Sequence, residues 1–563
     1  MGLLYIIFSS NSNKVFDVIC LWLTISRYPD RILTLELSKD VIPVIFISSS
    51  RSVKHLTVSS LEPYSVFPQS QKWLIVILTS LAGIVSPLSA NIYFPALNAI
   101  KEDLNTTTEL VNLSITVYMI FQGLSPSFWG SLADLWGRRP VYLATLLVYM
   151  GACAGLALAP TYWVLLVLRM LQAFGSSSVI AIGAGVVGDI ATPSERGSYF
   201  GLFSMGQNCG PVLGPVLGGI ISEELSWRWI FWILLMVGGA FFVAIFILLP
   251  ETLRSLVGNG SGHANPTPLQ WWERRQQAKK QQKRDLEAPA TSDTMSETST
   301  IANTEDKRST TKSRFLQFPD VTQPFIYLFQ KDVIIALVYN GIHYATYYCY
   351  MTSTTSQFTL IYGISEIEVG LCFLPSGIGC IVGSFIGGHL IDRDFKLVGK
   401  QAGFENAKRN QLPSDFPIFK ARLRSVYIAA GLLQVITLFY GWLLYIRVHL
   451  AVVLIIQFIV GFANSSMFNI FQTLMVDLFP EKSATITASN NLVRCMLGAV
   501  ATVIIEPGIQ GVGAGWIFTI IGLICVASNV LIPVLLKYGP GWREKRMELL
   551  ARKAEQEKQT QVR

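Results

Sequence analysis

Charge is scarce in this chain. Lys, Arg, Asp and Glu make up 14% of its 563 residues, against about 25% in a soluble globular protein. Cysteine chemistry is missing too. None of the eight cysteines forms a CxxC pair, and seven lie in apolar stretches, where they read as small hydrophobes. That leaves no disulfide framework and no metal site. No nucleophile–base constellation stands out, which speaks against an enzyme and against a bound cofactor. The net charge of +8 does not point to nucleic acid, because the cations cluster in loops between apolar runs. Such loops set membrane topology and attract anionic lipid.

Apolar residues supply what charge does not. They make up 51% of the chain, and from Trp73 onward they come in stretches of bilayer-crossing length. Twelve such spans are expected, near 73–95, 110–130, 140–159, 162–184, 199–221, 228–249, 332–353, 368–391, 425–446, 451–475, 485–506 and 514–537. The expected fold is an all-α membrane protein. Its parts are an N-terminal cytoplasmic extension (1–70), a six-helix bundle (71–251), a cytoplasmic linker (252–331), a second six-helix bundle (332–537) and a cytoplasmic tail (538–563). The extension's apolar runs are too short to span, and a start placed too far upstream is the alternative reading of it. The linker is charged and Ser/Thr-rich, the composition of a disordered segment. Cations such as Arg138, Arg139, Arg393 and Lys396 fall on one side, and Glu102, Asp103, Glu223 and Glu366 on the other. Both termini are therefore expected in the cytoplasm. Asn105 heads a sequon on the outer side, close to the membrane.

The halves repeat. Gly130-Ser-Leu132-Ala-Asp134 after span 2 matches Gly388-His-Leu390-Ile-Asp392 after span 8. Asp189 with Pro193 and Glu195 after span 4 matches Asp477 with Pro480 and Glu481 after span 10. Two bundles related by an axis along the membrane normal are a transporter architecture.

Span 5 is the densest pattern. Gly206, Gly210, Gly214 and Gly218 recur every fourth residue, which on a helix makes a stripe without side chains where another backbone approaches closely. Pro211 and Pro215 form a second stripe and remove backbone donors. The whole string, Gly201-x8-Gly210-x3-Gly214-Pro215-x2-Gly218-Gly219, resembles the antiporter signature of the major facilitator superfamily, in the form of the fungal twelve-helix drug:proton antiporters and their organic-acid exporting relatives. Ser86 to Pro95, Trp227-Arg-Trp229 and Leu249-Pro-Glu-Thr252 resemble the same group. The resemblance covers about 73–537.

It implies a major facilitator fold and proton-coupled efflux of drugs or metabolites at the plasma membrane by a monomer. The proton gradient is the driving force, and small molecules, protons and the bilayer are the partners. Gly130, Asp134, Gly137, Arg138 and Arg139 resemble the family's loop 2–3 latch. Asp189, Asp392, Arg393 and Asp477 read as cytoplasmic gate groups. Arg169 and Gln172, three residues apart in span 4, resemble its proton-coupling motif. His343 is a further titrating group, with an ordinary pKa of about 6.5. Asn91, Gln207, Asn208, Tyr347, Asn464, Asn490, Asn491 and Arg494 are expected to line the cavity. Each amide alone also reads as glue between helices.

No carboxylate is expected near midplane in spans 1, 4, 5, 7 or 11. The deep charges are Arg169 and Arg494, which favours neutral or anionic cargo such as citrate- or itaconate-like acids. The reading from another class is a ligand sensor with a transporter fold, whose long cytoplasmic segments signal. A uniporter or uptake symporter is the further alternative.

Overall fold

In a computed structural model the described residues are 65–191, 196–260, 262, 264–287, 322–403, 416–479 and 483–562. Most of the expected extension, the middle of the linker, and Pro193, Glu195, Pro480 and Glu481 lie outside them. Among the described residues the regular structure is helical. The first half holds α1 (Gln69–Ala82), α2 (Val85–Asn91), α3 (Leu97–Asp103), α4 (Thr108–Trp136), α5 (Arg138–Ala157), α6 (Tyr162–Ser176), α7 (Ser178–Ile190), α8 (Arg196–Glu224) and α9 (Trp227–Leu248). Between the halves stand α10 (Arg254–Val257), α11 (Pro268–Glu287) and α12 (Gln323–Leu328). The second half holds α13 (Lys331–Tyr362), α14 (Glu366–Cys372), α15 (Leu374–Gln401), α16 (Ile418–Leu423), α17 (Val426–Tyr445), α18 (Leu450–Leu478), α19 (Ser483–Ser528) and α20 (Leu531–Val562).

Local chemistry sets the breaks. Gly137, at φ +111°, turns the chain between α4 and α5 in a conformation that side chains resist. Gly363, at φ +64°, ends α13, and a capping box of Ser365 and Glu368 starts α14. Gly513, at φ +84°, kinks α19 where the sequence divides spans 11 and 12. Asn105 is exposed, at φ +46°, in the turn before α4. In the linker, α11 starts at a capping pair: the Gln270 amide donates to Thr267 Oγ1, and the Thr267 amide donates to Gln270 Oε1. Pro268 opens that helix. The charge content of the stretch does not announce a helix there. In the tail, α20 runs on to Val562.

Eight helical runs are long and apolar enough to cross a membrane. In that set α19 and α20 count as one run, Thr485–Leu549, which includes the Gly513 kink inside α19. Three further helices, α4, α8 and α13, have 29, 29 and 32 residues. At 1.5 Å per residue they reach about 43 Å or more, so length suffices while their polar content lowers their apolarity.

Two seams join the halves. Along α4 and α19, Glu109 accepts from Gln510 (2.8 Å), Thr116 meets Thr502 (2.8 Å), and Asn491 Nδ2 donates to the Gln122 carbonyl (2.9 Å). Along α8, Gly219 lies against Glu366, Pro215 against Gly370, and Val212 against Gly377 of α14 and α15. Each seam sets the second span of one half against the fifth of the other. The seams therefore exchange when the halves are swapped, as two parallel repeats require.

The apolar core follows the same plan. One cluster is shared by both halves, with Ile92, Phe94, Ile115 and Trp227 beside Phe358, Val369, Tyr440 and Ile505. At the other end each half has its own cluster. Ile75, Trp129, Tyr142 and Ile190 form one; Val333, Ile391, Phe416 and Ile532 form the other.

Candidate functional site

The glycine stripe of α8 packs on the first span of its own half. A Cβ on Gly210 would lie 2.6 Å from Pro87 Cβ, and one on Gly214 would lie 2.9 Å from Asn91 Cβ. Gly206 abuts the Ser80 carbonyl and Gly218 the Ile92 carbonyl. Gly201 stands one turn before the stripe on the same helix. Gly219, on a different face, meets Glu366 across the seam. One helix thus backs onto α1 and α2 and presents Val212, Pro215 and Gly219 to the opposite half.

The loop motif folds onto its own half. Asp134 pairs with Arg138 Nη1 at 2.7 Å, and Arg138 Nε donates to Asp189 at 3.0 Å. The Arg138 amide donates to Glu251 Oε1 at 2.8 Å. That carboxylate also accepts from the Thr252 and Leu253 amides and from Asn265. A side chain at Gly137 would strike Glu251. Arg139 ties the Phe246 carbonyl to those of Asn265 and Pro266. Gly130 faces open space.

In the second half Asp477 pairs at 2.7 Å with Arg422, both 1–2% exposed. Asp392 and Arg393 are exposed, and the neighbouring buried acid is Asp394, 3.8 Å from Arg424. Arg422 and Glu251 were not among the residues singled out from sequence. Arg422 stands 55 residues from its partner, and no local motif announces it. Glu251 belongs to the Leu249-Pro-Glu-Thr252 string, which was a usable signal.

The deep arginines use one design twice. Arg169, 1% exposed, bonds Gln172 Oε1 at 2.7 Å and lies 4.0 and 4.3 Å from the Tyr93 and Tyr118 rings. Arg494 bonds Asn491 Oδ1 at 2.8 Å and lies 4.5 and 4.7 Å from the Tyr344 and Phe468 rings. Cation–π contact and an amide hold each charge without an ion pair among the described residues. Arg494 keeps part of its surface accessible at the α4–α19 seam, where Asn491 reaches Gln122.

The remaining residues separate. His343 is fully buried inside the second half, its Nδ1 at the Tyr339 carbonyl (2.9 Å) and its Nε2 facing Gln434 Nε2 (3.2 Å). That places it among α13, α17 and the end of α19, since Gln434 also bonds the Cys525 carbonyl and Asn529. Asn490 accepts from Asn340 and donates to Gln472, which donates to Thr487. This chain of amides ties α13, α18 and α19. Asn91 donates to its own helix at Pro87. Tyr347 is buried with Tyr344 and Tyr348, ring centroids 6.4 and 5.9 Å away. Gln207 and Asn208 are on α8, and Asn464 is on α18; Gln207 and Asn464 are partly buried. Glu506 of α19 is 6% exposed and accepts from Ser356 at 3.1 Å. It closes the apolar stretch 485–506, so in the sequence it reads as a span end.

Residues 79–503 match the family model of the Major Facilitator Superfamily. Citrate exporter 1 of Aspergillus niger is 38% identical over 514 residues, covering 90% of this chain and 94% of that protein. Quinidine resistance protein 1 of Saccharomyces cerevisiae is 33% identical over 497 residues, covering 85% of each. A solved structure of a peptide transporter POT with bound alafosfalin shares the fold at a TM-score of 0.53 and 15% identity, over 85% of this chain and 95% of that one. With apolar helices of membrane-crossing length, two exchanged seams and this coverage, the chain is a multi-pass membrane transporter that belongs to the major facilitator superfamily, with the fungal drug:proton antiporters and organic-acid exporters.

Proposed function

We propose that this chain exports small organic anions in exchange for protons, by alternating access, at the plasma membrane. The observation that carries the reading is Arg494: a deep cation with an accessible surface at the seam, held by rings and an amide and by no carboxylate among the described residues. A carboxylate cargo would supply the missing charge-assisted hydrogen bond. The similarity to a citrate exporter favours the same cargo class. Arg169, sealed among tyrosines, is assigned to coupling rather than cargo. The chain is read as a monomer with twelve crossings and cytoplasmic termini, and Asn105 as an outer residue.

The core shared at one end and divided at the other supports the cycle. In this reading the shared end faces outward and is closed, while the end carrying Asp134, Arg138, Asp189 and Asp477 faces the cytoplasm and is open. Gly219 and Pro215 belong to the outer closure, and the Asp134–Arg138–Asp189 set to the inner one.

The test is efflux of labelled citrate, itaconate, a neutral drug and a cationic drug from cells expressing the chain. Arg494→Ala is expected to lower anion efflux at least tenfold, the scale of a lost charged hydrogen bond of about 1.5–3 kcal/mol. Efflux confined to the cationic drug and untouched by Arg494→Ala would overturn the anion reading. The similarity to a quinidine resistance protein would then direct it to drugs.

A further inference from the structure

We infer that the opening turns of α11 form a lipid-binding site, in which Trp271 and Trp272 enter the interfacial zone and Arg275, Lys279 and Lys280 take the headgroups of anionic phospholipids. The lipid chemistry does not depend on the cargo proposed above. Only the choice of leaflet, the cytoplasmic one, rests on that reading.

The start of α11 is fixed at the end of a span. Arg139 donates to the Asn265 and Pro266 carbonyls at 3.3 and 2.9 Å and to the Phe246 carbonyl at 2.6 Å. Asn265 in turn donates to the Trp136 carbonyl and to Glu251. The residues just before α11 thus lie one guanidinium away from the last turn of α9. That turn leaves Phe246, Ile247 and Leu248 39–44% exposed, an apolar surface that suits lipid. Trp271 follows Pro268 by three residues, about 4.5 Å of helix rise. The polar zone on each side of the hydrocarbon is about 5–8 Å deep. The opening turn of α11 therefore stands at interfacial depth whichever way the helix axis runs.

The side chains of that turn match a headgroup zone. Leu269, Trp271 and Trp272 are 51, 52 and 59% exposed. Indoles, apolar with one N–H donor, concentrate at this depth in membrane proteins. Cations stand with them. Arg275 lies 4.6 Å over the Trp271 ring, which holds a charge at the level of the indole. Arg275 and Lys279 follow Trp272 by three and seven residues and share its face. Arg275, Lys279 and Lys280 are all exposed. From Pro268 to Lys280 there are four cations and a single acid, Glu273, and this balance complements an anionic leaflet. A soluble acidic partner would use the cations and leave the two indoles in water. A bilayer uses both.

The test is hydrogen–deuterium exchange of the α11 peptide in the full chain, held in nanodiscs of phosphatidylcholine alone, in nanodiscs that also contain phosphatidylserine, and in detergent. Phosphatidylserine is expected to slow exchange of α11 at least tenfold, since each cation at an anionic surface contributes roughly fivefold. High salt is expected to remove most of that effect. R275Q/K279Q/K280Q is expected to lose the phosphatidylserine effect, and W271S/W272S to exchange faster in both nanodiscs. Thermal melting checks the folding of each variant. Equal exchange in the two nanodiscs, or a phosphatidylserine effect that survives the triple variant, overturns the inference. Slow exchange already present in detergent also overturns it, by showing that α11 packs on protein. Protection by added polyglutamate in detergent, with none from phosphatidylserine, replaces the lipid with a soluble acidic partner. Anion efflux decides the cargo reading separately, so either reading can fail while the other stands.

Discussion

The two halves hold the same ion pair in different settings. In the first, Arg138 at the start of α5 reaches Asp189 at the end of α7, with 13% and 15% of the side chains exposed, and shares itself with Asp134. In the second, Arg422 beside the start of α17 reaches Asp477 at the end of α18, with 1% and 2% exposed. The repeat preserved the contact between corresponding helix ends and changed its access to water. The first pair is a junction of partners that can be traded. The second is a fixed tie, flanked by the Phe395 ring and bonded to the Ile391 carbonyl. The difference makes the first half's pair the more exchangeable of the two and the second half's the more rigid.

The sharpest way to break this comparison is to remove the cation from each half. Arg422→Ala takes the paired cation away from the buried Asp477, and breaking a buried ion pair costs about 3–5 kcal/mol. The variant is expected to lose most of its folded yield in detergent and to melt well below the wild type. Arg138→Ala leaves its acids closer to water and is expected to melt within a few degrees of the wild type while its transport slows. Equal melting losses would show that burial does not distinguish the pairs.

The deep arginines sharpen it next. Arg494→Ala is expected to lower anion efflux at least tenfold, from about 1.5–3 kcal/mol of lost charged hydrogen bonding, with neutral cargo affected less. Arg169→Ala, at a site sealed by Tyr93 and Tyr118, is expected to slow all cargo alike. Flux assays with one anion and one neutral compound separate the two, and identical profiles would erase the distinction. The glycine seam of α8 follows. Gly214→Leu forces a side chain into Asn91 and Ile92, and overpacking of this kind costs about 1–3 kcal/mol. Membrane expression with lost efflux is the expected result; wild-type flux would refute the close-packing argument.

What was legible in the sequence follows from the range of each signal. Apolar length, the Gly-x3 stripe and the repeated Asp motifs are local patterns, and they led to the family that the comparisons show. Polar residues inside spans were legible as types but not as partners. Asn490 and Asn340 are 150 residues apart, and His343 meets Gln434 across 91; a single sequence does not say which way either faces. Glu506 reads as a span boundary because helix ends blur in apolar profiles. The stretch ending at 506 continues as helix to Gly513, which moves that carboxylate from a boundary to a buried contact. Arg422 was hidden by an analogy of spacing: the second copy of the loop motif offers Arg393 next to Asp392, yet both are exposed.

The smallest expected effect tests the trading of partners in the first half. Asp134 is 62% exposed, and its bond to Arg138 is an i, i+4 contact. Exposed pairs of this kind contribute about 0–1 kcal/mol, so Asp134→Asn should barely move the melting temperature. Its consequence should be kinetic. With Asp134 neutral, Arg138 keeps Asp189 as its remaining side-chain acid, and the junction loses one of the two positions between which it exchanges. Slower efflux at unchanged cargo affinity is the expected outcome, measured as a fall in maximal rate without a shift in half-saturation. If the rate stays at the wild-type value, Asp134 is only a solvated helix end, and the mobile junction reduces to Arg138, Asp189 and the Glu251 cradle.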